Sequence, residues 1–115
     1  MTRNATGVRA EQLAEEYLLR QGLTLVERNF RCRMGEIDLI LRDRDTLVFT
    51  EVRLRSARDF GGAAASVDRG KQARISAAAL HFLAGKRERP CRFDVVVLDR
   101  LDAEAIEWIK DAFTA

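Results

Sequence analysis

Proline is almost missing from this chain, one residue in 115, and glycine contributes only seven. With 47% hydrophobic residues, that scarcity excludes a disordered or low-complexity protein and implies a compact one. A chain of this length buries roughly 65% of its unfolded surface as one domain, here expected over residues 1–115. Cysteine is scarce too. Cys32 and Cys91 stand far apart, with no CxxC spacing, and the single histidine, His81, has no partner at metal-ligand spacing. A zinc centre is therefore not expected, and both cysteines read as packing residues of a reduced, cytoplasmic protein. No apolar run approaches the ~18 residues of a membrane span, so no membrane partner is expected. The opening MTRNATGVRA lacks the apolar core of a signal peptide. Excess charge is also lacking: a net charge of +2 does not by itself announce a nucleic-acid binder.

What is present is arginine, seventeen of the twenty basic residues. Its planar fork suits phosphate, although rich arginine usage also follows from genome composition. Ala10, Leu13, Ala14, Tyr17 and Leu18 repeat at helical spacing, and Gly22 stands where that first helix should end. LTLVERNFRC, EIDLILR and TLVFTEVRL read as three strands, the last two joined by the polar turn DRDT. ARDFGGAAAS reads as a small-residue loop, and FGG lacks phosphate-loop spacing. A second helix is expected from Ser66 or Asp68, either a suitable cap, to about Ala84, with Ile75, Ala78, Ala79, Phe82 and Leu83 on its apolar face. CRFDVVVLD reads as a buried strand; AIEWIKDAF fits either a strand or a helical turn. The expected fold is α/β, a mixed sheet packed between helices.

Three acids interrupt this pattern. Glu36, Asp38 and Glu51 lie inside the second and third strands, where acidic side chains are poor formers and costly to bury. With Asp43 to Thr46 as the loop, Arg42 opposes Leu47, Asp38 opposes Glu51, and Glu36 opposes Arg53. A turn at Asp43-Arg44 places Glu36 opposite Glu51 instead. Either way strict alternation puts residues 36, 38, 51 and 53 on one face. Neighbouring strands lie ~4.8 Å apart, so two carboxylates there can share one ion. With a backbone carbonyl such as that of Val52 they form a hard-oxygen site suited to Mg²⁺ or Mn²⁺. The alternative is a solvated face on which Arg53 neutralises Glu36 or Glu51.

The runs GVRAEQLAEEYLLRQG, RNFRCRMGEIDLI, TLVFTEVRLRS, FGGAAASVDRGKQARI and RFDVVVLD resemble the YraN-like uncharacterised protein family in order and spacing, over nearly the whole chain. That family is similar in fold to the PD-(D/E)XK restriction-endonuclease and Holliday-junction-resolvase superfamily. The resemblance implies a restriction-endonuclease-like mixed sheet flanked by helices, with Asp38 and Glu51 in the metal-binding positions. It matches Glu11 to the helical glutamate of resolvase-like members and makes Glu36 the acidic neighbour of Asp38; Ile37 stands where the superfamily has proline. One departure matters. The family writes Glu-Val-Lys where this chain has Glu51-Val52-Arg53. An arginine can stabilise charge on phosphate but does not hand over its proton. Lys71, four residues before Ile75 and thus on the inward side of the second helix, is a candidate replacement, against the alternative of a snorkelling surface lysine. Gln72 is a weaker helper.

Arg31 and Arg33 alternate on the first strand, while Arg55, Arg58, Arg69 and Arg74 surround the acids in sequence; together they suit a phosphate backbone. His81 reads as a surface or packing histidine and Trp108 as a core anchor. The expected function is a metal-dependent DNA endonuclease, acting on branched or damaged DNA, with Asp38, Glu51, Arg53 and Lys71 at its centre. The competing expectation is a nonenzymatic nucleic-acid-binding or structural protein on a nuclease scaffold. A homodimer suits action on two strands, but no sequence feature demands it.

Overall fold

A computed structural model describes residues 4–55 and 67–114. The expected loop 57–66, with Arg58 and the alternative cap Ser66, lies outside the described residues. Helix α1 spans Ala5–Arg20. The Asn4 side chain accepts the Gly7 N–H at 2.7 Å and so caps its first turn. Gly22, at φ +98°, turns the chain away in a conformation that side chains other than glycine rarely adopt. Strands β1 (Thr24–Cys32), β2 (Gly35–Asp43) and β3 (Thr46–Leu54) follow, then helix α2 (Arg69–Leu83) and strand β4 (Cys91–Leu98). A short 3₁₀ turn, Ala103–Ala105, leads into β5 (Ile106–Phe113). AIEWIKDAF is thus a strand. Arg33 is not on β1, which ends at Cys32; it forms the tight turn into β2 with Met34.

The five strands form one sheet in the order β1-β2-β3-β4-β5. The first three are antiparallel neighbours, β3 and β4 run parallel across the α2 connection, and β5 returns antiparallel to β4. The parallel pair explains the near-continuous apolar run of β4, because a helix covers each face of the sheet. On one face Ala10, Leu13, Ala14 and Leu18 of α1 pack on Leu39, Leu41, Val48, Val96 and Leu98. On the other, Ile75, Ala78, Ala79 and Phe82 of α2 pack on Ile40, Leu47, Phe49, Phe93, Val95 and Val97. Each large side chain buried in this way contributes about 1.5–3 kcal/mol. The architecture is α/β and consistent with the restriction-endonuclease-like expectation. Among the described residues, no helix is long and apolar enough to cross a membrane.

The β2–β3 hairpin takes the first of the two expected registers. Arg42 pairs with Leu47, and Asp43 with Thr46, so the turn itself is only Arg44 and Asp45. Arg44 adopts φ +58° there. Elsewhere α2 comes close to the start of β2: a Cβ on Gly35 would meet the Arg74 carbonyl oxygen at 3.1 Å. The glycine that opens GEID is needed for that approach. The packing role expected of the cysteines holds for Cys32, which lies against the α2-side core, but not for Cys91, which is exposed at the first position of β4.

Candidate active site

Asp38 on β2 and Glu51 on β3 are only 6% and 5% exposed, a degree of burial unusual for two acids. The regular pairing of β2 with β3 extends no further than Leu39 and Thr50. Beyond it the Asp38 carboxylate reaches across and accepts the Val52 N–H at 2.8 Å. A side chain here does what a ladder carbonyl does elsewhere, which brings it to the backbone next to Glu51. Glu51 itself pairs with Lys71, whose Nζ lies 2.7 Å from Oε1. Lys71 is in the first turn of α2, and that turn is fixed by Asp68, whose carboxylate accepts the Lys71 N–H at 2.8 Å. The helical spacing that placed Lys71 inward is sound.

Burial, and then the neighbouring charge of Asp38, push the Glu51 carboxyl up to about 7; Lys71 and Arg53 pull in the opposite direction. Two acids in a poorly hydrated place are thus only partly compensated by two cations. Arg53 is half-buried and close enough for its charge to act on Glu51. Asp38, Glu51, Lys71 and Arg53 form one electrostatic cluster.

Strict alternation along β2 does not survive, and the reason lies in β1. Ile37 packs in the α2-side core, whereas Leu39, two residues later, packs in the α1-side core. Their partners behave alike. Phe30, opposite Ile37, meets Phe82 of α2, and Arg28, opposite Leu39, binds Glu15 of α1. Between them Asn29 sits at φ +51°, in the left-handed region. Both strands therefore turn over at the Asn29–Asp38 position without losing register. The expectation that Glu36 shares a face with Asp38 and Glu51 by simple alternation is corrected by this break. Glu36 is half exposed and pairs with Arg31 at 3.1 Å.

Glu11 is half-buried on α1 and accepts Asn29 Nδ2 at 3.0 Å, which ties it to the strand that faces Asp38. The candidate phosphate-binding arginines are dispersed. Arg55 is held by Asp99 through Nε at 2.8 Å and Nη2 at 2.7 Å. Arg31 serves Glu36, Arg33 is exposed in its turn, and Arg74 is exposed on α2 beside Gly35. Gln72 donates to the Val67 carbonyl at 2.9 Å. His81 is exposed and packs its ring against Phe30.

Asp94 was hidden by the apolar run around it. It is fully buried on β4 and accepts Arg92 Nε, Trp108 Nε1 at 2.9 Å and the Asp111 N–H at 2.9 Å. Arg92 also reaches Asp43 at 2.9 Å. Asp111 adopts φ +52°, and the β4–β5 register shifts at this point. The network fixes an irregular strand pair, although the second terminal nitrogen of Arg92 stays buried without a hydrogen-bond partner among the described residues. Trp108 is correspondingly half-buried, anchored by its N–H as much as by its ring. One signal was readable: a lone acid within a buried strand requires donors.

A pocket of about 210 Å³, rimmed by Arg42, Lys86 and Arg89 over Val26, Leu47 and Phe82, lies toward the other end of β3 and contains none of the acids. Among the described residues no three His, Cys, Asp or Glu side chains are grouped to hold one ion. Asp38 and Glu51 can supply two hard oxygen ligands, and the remaining positions around a cation would fall to water and backbone carbonyls.

The model of the uncharacterised protein family UPF0102 matches residues 10–98, a span that contains both acids, Lys71 and Asp94. A UPF0102 protein of Dechloromonas aromatica is 56% identical over 114 residues, covering 99% of this chain and 92% of the relative. One from Methylobacillus flagellatus is 53% identical over 106 residues, covering 92% of this chain and 94% of the relative. A third, from Nitrosomonas europaea, is 54% identical over 108 residues, covering 93% and 92%. Matching in sequence across nearly its full length, the chain belongs to the uncharacterised protein family UPF0102, the YraN-like family that its motifs resemble.

Proposed function

We propose that the protein is a metal-dependent endonuclease that hydrolyses phosphodiester bonds of DNA, with branched DNA as the substrate class. The observation that carries this reading is the buried Asp38–Glu51 pair, accompanied by Lys71 at 2.7 Å from Glu51. The donor set fits a hard divalent cation: both groups are carboxylates, and Glu51 is raised first by its burial and then by the neighbouring charge of Asp38, both of which a bound cation would offset. Asp38 and Glu51 would hold Mg²⁺ or Mn²⁺, which would supply Lewis-acid stabilisation and a more acidic bound water. The chain's own cations do the rest. Arg53 binds and neutralises the phosphate undergoing attack. Lys71, an ammonium paired with Glu51, orients the attacking water, whose proton leaves to solvent or to the phosphate. Glu11 assists from α1, and the exposed Arg33 and Arg74 contribute weaker backbone contacts.

Arg53 also supports a second reading, a nonenzymatic nucleic-acid-binding protein of the cytoplasm on a nuclease scaffold. The two separate in one experiment. Purified protein is titrated with Mg²⁺ and Mn²⁺ and incubated with linear, nicked and four-way DNA. Metal-dependent cleavage that Asp38→Asn abolishes supports the enzyme; binding without cleavage by any metal supports the scaffold. A homodimer would give two sites, one for each of two strands cut, and sedimentation with four-way DNA reads it.

A further inference from the structure

We propose that Asn29 is a positioning residue for the acidic site: its side-chain amide holds Glu11 of α1 beside Asp38. The inference rests on the reading of Asp38 and Glu51 as a divalent-cation site. Asn29 Nδ2 donates to Glu11 Oε1 at 3.0 Å and makes a longer contact, 3.5 Å, with the backbone carbonyl of Asp38. One NH₂ group, with two donors, thus faces a helix carboxylate on one side and β2 on the other. The backbone makes this reach possible. At φ +51° in the middle of a strand, Asn29 occupies a conformation that asparagine tolerates better than most side chains, and both strands turn over there.

A simple helix-to-strand tether does not explain the arrangement, because one already exists next door. Arg28 binds Glu15 with Nε at 2.6 Å and Nη2 at 2.8 Å, and Glu15 lies one turn beyond Glu11 on α1. What Asn29 adds is the direction of the Glu11 carboxylate. An aspartate would present only acceptors to Glu11, and a glycine would keep the backbone but remove this hydrogen bond to Glu11. Glu11 then reinforces the site as an outer-shell carboxylate, able to hold water around a cation bound by Asp38 and Glu51.

The test is Mn²⁺ binding by calorimetry to wild type, Asn29→Gly, Asn29→Asp, Glu11→Gln, the Asn29→Gly/Glu11→Gln double variant, Arg28→Ala and Asp38→Asn, each confirmed as folded by circular dichroism. Loss of an outer-shell partner typically weakens a metal site about 10- to 100-fold. Asn29→Gly, which retains access to positive φ, should show that loss, and Asn29→Asp at least as much. The double variant should be no weaker than Glu11→Gln alone, because Asn29 acts through Glu11. Arg28→Ala should bind as wild type, which separates positioning from tethering. Wild-type affinity in Asn29→Gly, or fully additive losses in the double variant, overturns the proposal while leaving the cation site standing. Wild type that binds no Mn²⁺, or binds it undiminished by Asp38→Asn, removes the cation site and the role of Asn29 with it.

Discussion

Replacing Glu51 with glutamine should stabilise the protein at alkaline pH, measured in chelator so that metal does not intervene. Burial and Asp38 raise the folded-state carboxyl to about 7, from 4.5 for an unperturbed glutamate. Below pH 4.5 the residue is protonated in both folded and unfolded states and costs nothing extra. As pH rises from 4.5 to 7 the unfolded chain releases its proton first, so folding stability falls. Above pH 7 the full cost stands, about 3 kcal/mol at the usual conversion of pKa to free energy. Glutamine keeps an oxygen for Lys71 but gives up the ion pair, and Lys71, one-third exposed, recovers part of that loss by hydration. That attraction is already contained in the value of about 7, so the net gain is the same, about 3 kcal/mol. For a domain of this size that is roughly 12 °C in Tm. Thermal melts of Glu51→Gln and wild type from pH 4 to pH 9 should show the difference growing between pH 4.5 and 7 and then levelling. Titrating groups outside the Asp38–Glu51–Lys71–Arg53 cluster are common to both proteins and cancel. A variant no more stable than wild type at pH 8, or an advantage independent of pH, would refute the reasoning.

Three further outcomes are expected. Millimolar Mn²⁺ should raise the melting temperature at pH 8, by about 2.7 kcal/mol of stabilisation at a hundredfold excess over Kd; Asp38→Asn, which retains an acceptor for the Val52 N–H, should lose most of that rise. Arg53→Lys should increase metal-dependent cleavage of DNA by about 10²- to 10⁴-fold if proton handling limits the wild type, whereas Lys71→Ala should abolish whatever cleavage wild type has; steady-state assays on four-way and linear DNA read both. Asp94→Ala should cost about 3–5 kcal/mol in urea denaturation, because it leaves Arg92, the Trp108 N–H and the Asp111 N–H without their buried acceptor.

The elements carried by apolar periodicity are legible in the sequence: both helices, the β2–β3 hairpin and β4 lie where the pattern puts them. Two-residue alternation put Asp38 and Glu51 on one face under either register, and the Asp38 charge does act on Glu51 although regular pairing stops at Leu39 and Thr50. It misplaced Glu36 because a single left-handed residue, Asn29, turns two strands over at once, and nothing in the polarity of RNFRC marks one asparagine as a backbone break. Lys71 was legible from its spacing to Ile75, because a helix that buries Ile75 must turn Lys71 to the same side. The role of β5 was not, as its alternation is weak and its register is set from outside, by Asp94 and the bulge at Asp111. The same limit applies to the arginines. Strand alternation singled out Arg31 and sequence proximity Arg55, but local carboxylates, Glu36 and Asp99, claim them.

The central claim is that Asp38 and Glu51 together hold one divalent cation. A crystal soaked in Mn²⁺ at pH 8 tests it most directly, through anomalous scattering. The account predicts a single strong peak about 2.1 Å from a carboxylate oxygen of each residue, absent in Asp38→Asn crystals treated in the same way. A saturating soak that leaves this position without a peak, or a peak held by one of the two acids and unchanged in Asp38→Asn, would contradict it.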